Sequence, residues 1–119
     1  MLKDDAIRLQ HMLDATLDAT LDALSFIVGK SRTDLDSNRM LALSLVKSVE
    51  IIGEAASKVS AACQARYTDI PWPEIIGMRN RLIHAYFEID LDIVWHTVTE
   101  ELPPLVWELK EALAQDDAE

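Results

Sequence analysis

A chain of 119 residues, half of them hydrophobic, is long enough for one domain around one core, and residues 1–119 are read as that single domain. Only three glycines stand against abundant Ala and Leu, which favours helices and excludes a glycine-rich loop for cradling nucleoside triphosphates. A net charge of −10 excludes a surface that coats nucleic acid generally, although the acids crowd residues 1–24 and 88–119 and leave 25–87 mildly basic.

No apolar run approaches the length of a membrane span, and Met1-Leu2-Lys3-Asp4-Asp5 does not resemble a secretion signal. One cysteine, Cys63, cannot close an internal disulfide. It reads as a small core residue in a reducing, cytoplasmic protein.

Four helices are expected, in an all-α antiparallel four-helix bundle. The first covers about 4–28, with Leu9, Leu13, Leu17, Leu21 and Leu24 at helical spacing and Gly29 as its stop. Its Leu-Asp-Ala-Thr repeat sets Asp14, Asp18 and Asp22 four apart, which reads as a solvated face or a docking stripe for a basic partner. A polar loop at 31–37 follows. The second helix, capped by Asp36 or Ser37, runs to about residue 66 on the row Leu41, Leu45, Val49, Ile52, Ala56 and Val59. Gly53 inside it costs about 1 kcal/mol against Ala, so another backbone is expected to pass close by. Glu54 then either faces that groove or pairs with Lys58 on the surface.

The segment 68–71 breaks the chain, and Trp72-Pro73-Glu74 opens a third helix ending near His84. Asp90 caps a fourth, which runs to about residue 114 and bends at Pro103-Pro104, and 115–119 forms a frayed acidic tail. Trp72, Trp95 and Trp107 fit helix packing better than base stacking. His11 has no partner nearby in sequence, and His96 reads as a packed or surface histidine. Neither has the spacing of zinc ligands, so no metal or other cofactor is assigned.

The chemistry concentrates in Arg79-Asn80-Arg81-Leu82-Ile83-His84-Ala85-Tyr86. Arginine stays charged and grips phosphate with a planar fork, while histidine can give or take a proton near neutrality. RNA cleavage by the substrate's own 2′-hydroxyl needs a base, an acid and cations to steady the phosphorane, and DNA lacks that hydroxyl. His84 fits acid/base work, Arg79 a phosphate clamp, and Asn80 the orienting of a phosphate oxygen or the imidazole. Arg81 adds electrostatic help. The bland alternative is a polar helix end whose cations complement the helix dipole. One His84 per chain supplies one proton-transfer group, so two are met by a homodimer with the cleft at its interface. Arg79 and His84 lie about 140° apart on an ideal helix. Either the helix loosens before His84, or the long Arg79 stem reaches round, or Arg79 serves a site shared with a second copy.

This Arg-x4-His-x-Tyr pattern resembles the signature of the HepT-like family of HEPN-domain ribonuclease toxins. The likeness includes 70–78, which leads into the motif, and Ile51-Ile52-Gly53-Glu54-Ala55-Ala56 upstream. Downstream, Phe87, Asp90, Ile93-Val94-Trp95 and Pro103-Pro104 also fit, so it spans about 36–113. The resemblance implies a HEPN bundle, a dimeric composite site, and a toxin neutralised by a minimal nucleotidyltransferase antitoxin. It further implies Tyr86 as acceptor of AMP, which would place charge and bulk beside the cleft. The alternative is a non-catalytic HEPN-like adaptor that binds nucleotide or a nucleotidyltransferase partner, and the heavy negative charge favours it. A weaker reading is an antitoxin-like partner whose acidic ends neutralise a basic protein.

Overall fold

The computed structural model describes residues 3–83 and 88–118 and is an all-α bundle of HEPN type. Its helices are α1 (Lys3–Phe26), α2 (Asp34–Ser37), α3 (Arg39–Ser57), α4 (Ala61–Arg66), α5 (Trp72–Ile76), α6 (Met78–Leu82), α7 (Leu91–His96) and α8 (Leu102–Ala118). A π-helical turn, Thr97–Glu101, joins α7 to α8. None of these helices is long and apolar enough to cross a membrane.

The centre of the bundle is α3, which lies against α1, α5, α6 and α7. Its expected apolar row is the buried one: Leu45, Val49, Ile52 and Ala56 are fully enclosed. On α1 the buried face differs from the leucine row. Leu13, Thr16, Ala19, Thr20 and Ala23 turn inward while Leu21 is exposed. The threonines tolerate burial because their hydroxyls donate to carbonyls one turn back, Thr16 Oγ1 to Met12 O (2.8 Å) and Thr20 Oγ1 to Thr16 O (2.7 Å). Asp14, Asp18 and Asp22 are all exposed, as a solvated face requires.

Several boundaries differ from expectation. Helix α1 stops at Phe26, and Gly29 takes the positive φ of 73° that turns the chain. The polar loop holds the short α2, which exists because Leu35 plugs into the core. The cap of α3 is Asn38, whose Oδ1 accepts from Leu41 N–H at 3.0 Å, and not Asp36 or Ser37. The expected second helix is divided, since Ser60 caps a separate α4 by accepting from Cys63 N–H. Cys63 is buried in the core. Asp90 caps α7 as expected, accepting from Ile93 N–H at 3.1 Å.

The fourth helix breaks just before its prolines. Leu102 N–H donates to Thr97 O, a bond spanning five residues and therefore a π-turn. Pro103 and Pro104 have no N–H to continue the ordinary ladder, so the disruption falls on the turn that precedes them.

Candidate functional site

Three of the motif residues ride on α6, and the apolar row Trp72, Ile75, Met78 and Leu82 fixes that helix in place. The row keeps helical spacing across the break at Gly77, so α5 and α6 are anchored along one line where a single third helix was expected. Gly77 N–H donates to Pro73 O, and Asn80 N–H donates to Gly77 O three residues back, which tightens the chain at the junction. Trp72 locks the start of α5, its indole N–H shared between Gln64 O and Tyr67 O at 3.1 Å each.

Gly53 performs the role its position implied. A Cβ there would stand 3.3 Å from both Ile75 O and Ile76 O, so the backbone of α5 passes directly over it. Its neighbour Glu54 is exposed and pairs with Lys58 at 3.3 Å, the ordinary surface arrangement.

Leu82 ends α6, and Ile83 is already extended (φ −121°, ψ 125°). Ile83 bridges Ile89 in antiparallel fashion, and Asp90 N–H donates to Leu82 O at 2.8 Å. The 100° step per residue therefore ends before position 84, and the ideal-helix phasing of Arg79 against His84 does not carry through. This corresponds to the loosened-helix option. His84 and Tyr86 lie outside the described residues.

The two arginines meet different surroundings. Arg79 turns toward α3, its Nε 4.0 Å from Glu50 Oε2. Arg81 turns toward the π-turn, donating from Nη1 to Glu101 Oε1 at 3.1 Å. Asn80 is exposed between them. Asn80 and Arg81 form one wall of a shallow groove of about 510 Å³, with Asp92, Ile93, His96 and Glu101 on the other side. Asp92 accepts from Arg32 Nε at 2.6 Å, and Arg32 also donates to Asp36 at 3.1 Å. Asp36 first and Asp92 second hold the Arg32 guanidinium above its ordinary pKa.

Sequence reading set His96 aside, yet it is exposed on this groove. On an ideal α-helix His96 and Glu101 would lie about 140° apart. The π-turn closes over five residues and brings both to the groove. Only the prolines that follow hinted at the irregularity.

A second concavity, about 130 Å³, lies between residues 66–70 and α8, lined in part by Asp69, Trp107, Glu108 and Glu111. Trp107 is 68% exposed, unlike the buried Trp72 and half-buried Trp95, so packing does not account for it. Burial first and Asp69 second push the Glu108 carboxyl above its usual pKa. Among the described residues, no three of His, Cys, Asp and Glu gather closely enough to hold a metal ion.

Relatives share most of the chain. "Putative RNase TTE0752" of Caldanaerobacter subterraneus subsp. tengcongensis is 37% identical over 90 residues, 76% of this chain and 80% of the relative. "Putative RNase MJ1380" of Methanocaldococcus jannaschii is 31% identical over 79% of this chain and 86% of its own length. "Probable ribonuclease HepT" of Thermococcus cleftensis is 40% identical across 52% of this chain and 56% of its own. No solved structure matches. The family model described as Ribonuclease HepT-like matches residues 16–112, and the chain belongs to that HepT-like family.

Proposed function

We propose that this protein is a ribonuclease that cuts RNA without a metal ion, using the 2′-hydroxyl as nucleophile. The observation that carries the reading is the complete Arg79, Asn80, His84 and Tyr86 set in a chain whose family and relatives are named for ribonuclease. In this mechanism the 2′-oxygen attacks phosphorus, its proton passes to a base, and the 5′-oxygen leaves with a proton from an acid. His84 is the proton-transfer group, Arg79 steadies the charge on the phosphorane, and Asn80 orients a phosphate oxygen. Two such steps need two imidazoles, so the working unit is a homodimer with one His84 from each copy.

The biological role that follows is a cytoplasmic toxin neutralised by a minimal nucleotidyltransferase antitoxin. Silencing would transfer AMP to Tyr86: the phenolic oxygen bonds to the α-phosphorus of ATP, pyrophosphate leaves, and the phenol loses its proton. The added negative charge would then repel RNA.

Purified wild type in EDTA should cut single-stranded RNA, leave 2′-O-methyl RNA of the same sequence intact, and lose cutting with His84→Ala. Cutting of the methylated strand, or undiminished cutting by His84→Ala, removes the mechanism. Mass spectrometry after co-expression with the antitoxin should find Tyr86 heavier by one adenylyl group; neutralisation with an unmodified Tyr86 removes that clause.

A second reading is a non-catalytic HEPN-like adaptor that binds nucleotide or a nucleotidyltransferase subunit. Two observations favour it: Arg79 and Arg81 each already face a carboxylate, and the net charge is −10. Under this reading neither wild type nor His84→Ala arrests growth of a bacterial host, whereas the ribonuclease reading requires arrest by wild type alone.

A further inference from the structure

We propose that the groove between α6 and the π-turn seats the nucleotide next to the scissile one, with Arg81 and His96 holding its phosphate and Glu101 as the carboxylate that this phosphate displaces. The inference rests on the ribonuclease reading for the identity of the ligand, but its geometry stands on this chain alone.

Three features carry it. The groove begins at the motif itself, because Asn80 and Arg81 form its wall. Its donors suit a phosphate: an arginine fork and the ring N–H of His96. Its acids are already answered within the protein. Asp92 is held by Arg32 at 2.6 Å, leaving Glu101 on Arg81 at 3.1 Å as the group competing for the motif arginine. Both partners of that pair are partly exposed, with 44% of the Arg81 side chain and 31% of the Glu101 side chain accessible. Exposed ion pairs are weak enough for a phosphate to replace the carboxylate. Ile93 supplies an apolar surface on which a ribose or base edge can rest.

The π-turn makes this arrangement possible. It sets His96, which precedes it, and Glu101, which ends it, on one groove, so a phosphate donor and the carboxylate paired with Arg81 stand together. Such turns recur at functional sites because they re-aim side chains that a regular helix would separate. Arg81 is thus a binding residue with its own groove, distinct from the Arg79 flank.

The test measures binding of fluorescent 2′-O-methyl RNA, which offers no nucleophile for cleavage, across a range of salt. Wild type should bind. Arg81→Ala should weaken binding and lower the slope of log affinity against log salt by about 0.7, the share of one phosphate on a single strand. His96→Ala should weaken binding about tenfold, and His96→Arg should restore it. Glu101→Gln should tighten binding about two- to fivefold, and the gain should vanish in the Arg81→Ala background.

Glu100→Gln on the same turn removes equal charge outside the groove lining and serves as the electrostatic control. A gain in affinity cannot arise from misfolding. No binding by wild type, an equal gain with Glu100→Gln, or no loss with His96→Ala overturns the groove. If binding follows this pattern while natural RNA stays uncut, the ribonuclease reading fails and the groove stands. If RNA is cut while binding ignores His96 and Glu101, the reverse holds.

Discussion

The groove at α6 and the concavity beneath Trp107 are both bordered by carboxylates, but Glu101 and Glu108 stand in opposite situations. In the groove each acid touches a cation: Asp92 shares Arg32 with Asp36, and Glu101 has Arg81. Beneath Trp107, Glu108 Oε2 is buried with no hydrogen-bond partner among the described residues, and it faces Asp69. A compensated carboxylate holds an arginine extended and ready for an anion. An uncompensated one is costly to ionise, so its pKa is raised. Acidity alone therefore says little about which surface of this protein suits an anion; the pairing of each acid bears on it.

That contrast depends on the scaffold beneath the groove, and the largest effects come from breaking it. Leu82→Ala empties a fully buried site at the end of α6, where Ile83 and Asp90 tie the chain back. It should cost about 2–5 kcal/mol in denaturant unfolding. A loss below 1 kcal/mol would mean that α6 is not held by its apolar row. Gly53→Leu forces a side chain against the Ile75 and Ile76 carbonyls and should cost about 1–3 kcal/mol. An unchanged midpoint would show that α5 can slide without penalty.

A smaller change sharpens the groove side. Thr97 opens the π-turn, is fully buried, and its hydroxyl finds no partner among the described residues. Thr97→Val keeps the shape and removes the stranded oxygen, so stability should rise by about 1 kcal/mol, close to 4 °C in Tm. A fall would mean that the hydroxyl helps to hold the turn open.

Much of the frame was legible from residue spacing. The α3 row, the close approach over Gly53, the opening of α5 at Trp72-Pro73 and the Asp90 cap all follow from local pattern and steric demand. The buried face of α1 was not, because Thr16 and Thr20 count as polar until their hydroxyls are seen bonded one turn back. The divisions at Lys58 and Gly77 were missed for a related reason. Their apolar rows continue across the break, so periodicity alone reads one helix where there are two. Arg79, Asn80 and Arg81 stand out in the sequence by their chemistry. That His96, Glu101 and Asp92 line one groove with Asn80 and Arg81 does not show in the sequence, because α-helical phasing separates 96 from 101 and only the π-turn reunites them. Nor does sequence reveal that each motif arginine already faces a carboxylate, since Glu50 and Glu101 come from other elements.

The smallest expected effect probes the uncompensated side. Burial raises the folded-state pKa of Glu108 above its unfolded value, with the Asp69 charge adding to it. The folded protein thus binds this proton more tightly than the unfolded chain does. Its contribution is fully present below the unfolded pKa and is lost as pH rises through the folded value, so ionised Glu108 weakens the fold at neutral pH. Glu108→Gln keeps the shape without the charge. It should raise the neutral-pH midpoint slightly, with the difference from wild type shrinking toward zero as pH falls through the carboxylate range. An equal advantage at every pH would trace the gain to packing, and a loss at neutral pH would mean that Glu108 has found a cation. In that case the two concavities would manage their acids alike, and the pairing of Glu101 with Arg81 would no longer distinguish the groove.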